Sequence, residues 1–321
     1  MTVSVAMTTC NGATYLQEQL ESLALQLHPI EELVISDDCS TDSSLEICRR
    51  FASRANFTVV VLENSERVGY SNNFFRALSH CRQSDIVMFC DQDDWWYPEK
   101  VAVLTEIFQE NPELLLAIHD VEFCDGDLKP VGYTKLQRMQ SFGNPYFSYV
   151  TGMATAMRKE LVDIAIPFPE GALFSYDGWV HRLAIALQAK TVTSHVLARY
   201  RRHETNVTAN NSLNAASGKL RSQYVLNKSR SSPLESIKRQ DEVWTCVTER
   251  LTERYGSGDT NRAGGLSRAS KLQSNTRWRL QVRKKRLLLR LPAVVIALFG
   301  GRYKQFSGIS SALKDLSQRD T

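Results

Sequence analysis
From Val3 to Phe123, short apolar runs alternate with amphipathic stretches, and this alternation constrains the fold more than any other feature. Val3–Thr9 reads as a strand, and Tyr15–Leu27 as a helix with Leu16, Leu20, Leu23 and Leu27 at helical spacing. Glu32–Ser36 is a second strand that runs into Asp37-Asp38. Ser40-Thr41-Asp42 supplies caps for a helix over Ser43–Ala52. Strands over Thr58–Leu62, Asp85–Cys90 and Leu114–Phe123 alternate with helices over Asn72–Cys81 and Glu99–Gln109, the latter behind Pro98. Residues 125–150 read as loop and hairpin, broken by Gly126, Gly132, Gly143 and Pro145. Tyr149–Met157 reads as a strand re-entering the sheet, Asp177–Leu187 as a helix and Thr191–Tyr200 as a late strand. Strands separated by helices predict a largely parallel sheet in an α/β fold. In such sheets ligands bind beyond the carboxyl ends of the strands.

Composition excludes several classes. With 43% hydrophobic and 23% charged residues among 321, the chain is neither disordered nor collagen-like. Seven cysteines without a C-x-x-C pair predict neither a disulfide framework nor a zinc site, and fit a reducing cytoplasm. The N-terminus enters a strand with no basic leader, so no signal peptide is expected. The longest apolar stretch, Leu287–Phe299, is interrupted by Arg290 and Pro292 and is too short to span a bilayer.

Charge divides the chain. Residues 1–214 carry 17 Lys/Arg against 27 Asp/Glu, a net −10; residues 215–321 carry 22 against 8, a net +14. The expected organisation is a catalytic domain over 1–214 and a basic, mostly helical extension over 215–321. Residues 215–253 read as helical, and 256–276 as a flexible linker rich in Gly, Ser, Arg and Asn. A basic-to-apolar segment over 277–305 suits the surface of an anionic membrane or packing on the catalytic domain. No nucleic-acid motif accompanies the basic run, so no nucleic-acid partner is expected.

Two acidic clusters stand where a ligand should bind: Asp37-Asp38 after the second strand, and Asp91-Gln92-Asp93-Asp94 after the fourth. Three carboxylates within four residues, straight after a buried strand, repel one another unless a cation is present. Mg²⁺ and Mn²⁺ take one or two carboxylates together with phosphate oxygens. The pattern therefore points to a metal that holds a phosphorylated ligand.

The segments VSVAMTTCNGATYLQEQLESLALQ, ELVISDDCSTD, VGYSNNFFRAL, DIVMFCDQDDWWYPEKV, YVTGMATAMRKEL, SYDGWVHRLA and YRRHETNV occur in that order over about residues 3–208. Together they resemble a family 2 glycosyltransferase of the GT-A fold, with a Rossmann-like mixed sheet. DQDDWW, SYDGW and YRRHETN are similar to bacterial rhamnosyltransferase-like members that build surface polysaccharides such as O-antigens. The resemblance implies a nucleotide-diphosphate sugar donor and a glycan or lipid-linked acceptor. It implies Mg²⁺ or Mn²⁺ as cofactor, and a cytoplasmic enzyme peripheral to the inner face of the plasma membrane. Thr8, Thr9 and Asn11 then surround the nucleoside, Asp38 contacts the base and Asp91 the ribose or sugar. Asp93 and His203 are the metal-side residues, and Asp177 is the general base of an inverting transfer. The family commonly places Tyr where this chain has Cys10, which leaves uridine and thymidine both open.

Other residues keep two readings. Asp177 suits a base or a helix N-cap. Trp179, like Trp95 and Trp96, suits a sugar platform or core packing. Arg199, Arg201 and Arg202 suit phosphate pairing or a solvated strand edge. Gly152 suits ligand approach or close packing. The rival functions are a sugar-1-phosphate nucleotidyltransferase, disfavoured by the single glycine of Thr8-Thr9-Cys10-Asn11-Gly12, and an inactive homologue serving as a membrane-associated assembly module.

Overall fold
In chain order the strands are β1 (Val3–Thr9), β2 (Glu32–Asp37), β3 (Thr58–Glu63), β4 (Ile86–Cys90), β5 (Trp95–Trp96), β6 (Leu116–Cys124), β7 (Pro130–Thr134), β8 (Thr155–Arg158) and β9 (Lys190–Arg201). The helices are α1 (Ala13–Ala24), α2 (Ser44–Ala52), α3 (Tyr70–His80), α4 (Lys100–Glu110), α5 (Lys135–Ser141), α6 (Lys159–Ala165) and α7 (Tyr176–Ala186), followed by α8 (Pro233–Tyr255), α9 (Ala263–Arg283), α10 (Leu287–Phe299) and α11 (Ile309–Ser317). This computed structural model describes residues 1–81, 84–141, 146–172, 174–203, 233–256, 263–285, 287–306 and 308–317. The predicted domain boundary at 214, the helix over 215–232 and Asn206 of the last motif lie outside the described residues.

The strands form one mixed sheet in the order β3-β2-β1-β4-β8-β6-β9-β5, with β7 paired to β6. β1 to β4 are mutually parallel. β8 runs antiparallel between β4 and β6, and β6 is parallel to β9. The central strands are covered on both faces, which is why β4 reads as an unbroken apolar run and β1 as a largely apolar one. α1 lays Leu16, Leu20 and Leu23 on the sheet but stops at Ala24, short of the predicted end. Leu27 is outside the helix and exposed, and its amide donates to the Pro98 carbonyl.

The predicted strand over Tyr149–Met157 is shorter than expected. Gly152–Ala154 is a 3-10 turn, and only Thr155–Arg158 pairs in the sheet. Two short helices, α5 and α6, stand where no helix is predicted. α5 buries Leu136 alone, so it has no apolar stripe to read.

Almost all described residues up to His203 form one compact unit, and those from Pro233 onward form a second. In the second unit the linker predicted over 256–276 gives way to the helix α9 from Ala263 onward. Its Gly264 and Gly265 signal a breaker, but a longer run of good helix formers follows. The basic segment over 277–305 is likewise not one continuous interfacial stretch. Val282, Val294, Ala297, Tyr303 and Ala312 build a core with Trp278, Leu298 and Phe306 packed against it. Arg279 and Arg283 are buried against Asp315, at 2.8 and 2.9 Å, and Tyr303 donates to the same carboxylate at 2.9 Å. Arg290 donates to the carbonyls of Lys285, Arg283 and Asp315. Among the described residues no helix is long and apolar enough to cross a membrane.

Candidate active site
The carboxyl ends of β1 and β2 bring Thr9 and Asp37 into register. The Thr9 hydroxyl donates to Asp37 at 2.7 Å, and Ser40 donates to it through both amide and hydroxyl, at 2.8 and 2.5 Å. Thr9 thus braces Asp37 at the end of β1. Thr8 is half-buried beside it. Asn11 takes a left-handed backbone (φ 50°), and its side-chain carbonyl accepts from the Thr41 amide at 2.8 Å. Asp38 points the other way along the strand end. It accepts from the amides of Val68 and Gly69, at 2.8 and 3.0 Å, and from the Asn64 side chain at 2.9 Å. These bonds pin the turn into α3 around the position predicted to meet a nucleobase.

The acidic loop after β4 is locked to the first loop through Gln92. Its side chain accepts from the Cys10 amide at 2.9 Å and donates to the Cys10 carbonyl at 3.3 Å. Gly12 makes room for this, since a Cβ there would lie 2.1 Å from Gln92 Oε1. Asp94 is fully buried. Burial, and then the charges of Asp93 and Asp91, push its pKa far above the carboxylate range. One of its oxygens accepts from the Arg201 amide at 3.0 Å, and the other has no partner among the described residues. Burial likewise lifts Asp91 to about 7, with Asp93 and Asp177 adding like charge. Asp93 meets His203 across 110 residues of sequence, Nε2 to Oδ2, at 2.8 Å. The ring of Tyr15 lies 4.8 Å from that imidazole.

Arg201 holds this loop from beneath. Its guanidinium donates to the carbonyls of Asp93 and Gly126 and to Glu18, and it lies 4.3 Å over the Tyr15 ring. It is a buried clamp, neither a phosphate partner nor part of a solvated edge.

Asp177 is the second residue of α7. The N-cap is Ser175, whose hydroxyl accepts from the Gly178 amide. The N-cap reading of Asp177 is therefore replaced. Its Oδ1 accepts from the Gly178 amide at 2.7 Å and from the Ser175 hydroxyl at 2.5 Å. Its Oδ2 has no hydrogen-bond partner among the described residues. Asp177 lies close enough to Asp91 to raise its pKa. The structure thus gathers Asp91, Asp93, His203 and Asp177 at the carboxyl edge of the sheet.

The family model for glycosyl transferase family 2 matches residues 4–165. The chain belongs to glycosyltransferase family 2. An uncharacterized glycosyltransferase of Nostoc sp. is 28% identical over 232 residues, 68% of each chain. The dTDP-rhamnosyl transferase RfbG of Shigella flexneri is 35% identical over 98 residues, 30% of this chain and 34% of that one. This glycosyltransferase thus spans about two thirds of one curated relative and about a third of the other. Among solved structures, Staphylococcus aureus TarS 1–349 in complex with UDP-GlcNAc superposes with a TM-score of 0.55 at 18% identity, covering 87% of this chain and 92% of that chain. A mannosyltransferase of Pyrobaculum calidifontis in complex with GDP-Man and Mn²⁺ gives 0.51 at 17%, covering 98% and 87%. The fold is of the GT-A type.

Several residues that shape the glycosyltransferase site escape a reading of the sequence. Tyr176 stacks on Phe74 (3.9 Å, 15°) and meets Phe89 edge-on (4.9 Å, 90°). Its hydroxyl fills the space a Cβ of Gly152 would need, 1.8 Å away, so Gly152 serves packing rather than ligand approach. Trp179 is wholly buried and donates to the Ala165 carbonyl at 3.0 Å, which removes it as a sugar platform. Trp96 is also buried, and Lys100 Nζ lies 3.3 Å over its ring and donates to the Met153 carbonyl at 2.7 Å. Burial lowers the Lys100 pKa to about 7. Lys135 on α5 sits in the field of Asp177, Arg202 and Asp91, and burial lowers its pKa to about 8. The position of Lys100 within the DQDDWWYPEK motif and of Tyr176 beside Asp177 were usable signals; Lys135 carries none.

Proposed function
We propose that this glycosyltransferase moves a sugar, with rhamnose the leading candidate, from a nucleotide-diphosphate donor to a surface-glycan or lipid-linked acceptor, by an inverting, metal-dependent displacement. The observation that carries the reading is the juxtaposition of Asp177 with Asp91 and the Asp93–His203 pair at the strand ends. The acceptor hydroxyl attacks the anomeric carbon as the bond to the diphosphate breaks. Its proton passes to Asp177 Oδ2, while Oδ1 stays fixed by Gly178 and Ser175. One displacement with one base inverts the anomeric centre.

The donor set fits a divalent cation. Asp93 and His203 supply a carboxylate and an imidazole side by side, and the neighbouring Asp94 carries an orphaned buried oxygen. Among the described residues no cluster of three or more His, Cys, Asp or Glu side chains is assembled for an ion. Such a pair suits Mg²⁺ or Mn²⁺, which keep positions for phosphate oxygens. When bound, the ion would offset charge on the departing diphosphate. Asp38 is the proposed nucleobase contact and Asp91 the ribose or sugar contact, with Thr8, Thr9 and Asn11 shaping the nucleoside loop. The dTDP-rhamnosyl transferase match supports rhamnose and thymidine, and the TarS–UDP-GlcNAc complex supports uridine. A cytoplasmic enzyme at the inner face of the plasma membrane is the proposed setting, supported by the basic excess of residues 215–321.

Asp177→Asn tests the base. Donor binding by calorimetry should persist while transfer falls by about 10²–10⁴-fold. Transfer at the parental rate would place the base elsewhere. Parental donor binding with no transfer to any acceptor by the parent itself would favour the inactive-homologue reading. The family match sets aside the nucleotidyltransferase.

A further inference from the structure
α10 is apolar on nearly every side, yet among the described residues only one side of it is covered. Val294 and Ala297 face the core of the second unit, and Arg290 turns inward to backbone carbonyls. The opposite side is open: Leu289, Leu291, Val295, Ile296 and Phe299 are 60, 55, 40, 73 and 87% exposed. At 100° per residue these five fall within one half of the helix circumference. A helix with apolar residues all round is ordinarily buried all round. Exposed Lys284 and Lys285 precede the helix, and exposed Arg302 follows it.

We propose that α10 seats this protein on an anionic lipid surface by inserting that open face, with Lys284, Lys285 and Arg302 against the headgroups. The proposal rests on the membrane-surface reading above and changes its agent. The basic residues that made the segment conspicuous, Arg279, Arg283 and Arg290, are spent inside the unit around Asp315. The apolar stripe is what remains to bind. At 13 residues the helix is about 20 Å long, which suits lying in the interface rather than crossing it.

Charge favours lipid over a second copy of the chain. From Thr260 to Lys314 the sequence has thirteen Lys/Arg and no Asp/Glu, and Asp315 beyond them is wholly buried. Two α10 faces laid together would set Lys284 and Lys285 against their own copies if parallel, or against Arg302 if antiparallel. Either pairing is repulsive, whereas an anionic bilayer complements both ends at once.

The test is co-sedimentation of the full chain with vesicles of phosphatidylglycerol and phosphatidylcholine, and of phosphatidylcholine alone. The parent should bind the anionic vesicles. Ile296→Ser with Phe299→Ser should weaken binding at least about tenfold. Lys284→Gln, Lys285→Gln and Arg302→Gln should each weaken it about fivefold and reduce its salt sensitivity. Parental binding by the Ile296/Phe299 double variant would overturn the assignment to α10 while leaving the membrane reading intact. A parent that ignores the vesicles would overturn both. A parental dimer in light scattering that the double variant converts to monomer, without vesicle binding, would make the face a contact between copies and overturn the proposal. Phe299→Trp supplies a readout free of destabilisation: its added emission should shift to the blue with anionic vesicles, and an unmoved spectrum would overturn insertion.

Discussion
Buried charge is handled in opposite ways in the two units. In the second, Asp315 is fully enclosed, and burial alone would raise its pKa. Hydrogen bonds and charge from Arg279 and Arg283, with a bond from Tyr303, outweigh that and hold it below the ordinary carboxylate value. In the first, burial and like charge prevail, and Asp91 and Asp94 are held high. A satisfied network fixes a structure; an unsatisfied one is poised for something that arrives. The same residue type therefore marks a staple in one unit and a binding site in the other.

If that contrast is right, Asp315→Asn strikes stability. It leaves Arg279 and Arg283 buried without their counter-ion, and the loss should reach about 3–5 kcal/mol in urea denaturation followed by circular dichroism. The pH dependence has a definite sign. A folded pKa below the unfolded value near 3.9 means the contribution is fully present above about pH 4. It is lost as pH falls through the folded value. The parent should show this acid-side loss and Asp315→Asn should lack it.

Asp93→Asn should behave inversely. Removing one of three crowded carboxylates relieves repulsion, so the melting temperature should stay level or rise. Metal-dependent binding of a nucleotide sugar and transfer should fall by about 10²–10³-fold. A destabilised variant with intact metal response would make Asp93–His203 a structural pair and erase the contrast.

This division was only partly legible in the sequence. Val3–Thr9 and Ile86–Cys90 declare themselves because strands covered on both faces are largely apolar. The acids at their ends follow from the rule that ligands gather there. What joins Asp93 to His203, or Asp91 to Asp177, is tertiary, and in the sequence only the family motifs group those residues. Arginine misleads most. Arg201, Arg279 and Arg283 read as surface charge, yet each is buried against partners far away in sequence, which periodicity cannot reveal. The helix α5, with one buried side chain, left no pattern at all.

A smaller effect probes the packing beneath the acids. Gly152→Ala sets a methyl group against the Tyr176 hydroxyl and should cost about 1–3 kcal/mol. In a Tyr176→Phe background the cost should shrink without vanishing, because a ring carbon still lies 2.6 Å from the new Cβ. Strict additivity in that double-mutant cycle would show that the two residues do not share the contact.

The smallest effect isolates burial from pairing. Arg239 and Glu235 form an ion pair one turn apart on α8, with both side chains more than half exposed. Water already solvates both charges, so Glu235→Gln should change stability by less than about 0.5 kcal/mol. Set beside Asp315→Asn in the same unit, it asks whether an Arg–carboxylate contact stabilises by itself. If Glu235→Gln costs as much as Asp315→Asn, pairing alone explains the second unit. Enclosure then does not separate staple from site, for Asp91 and Asp94 as well.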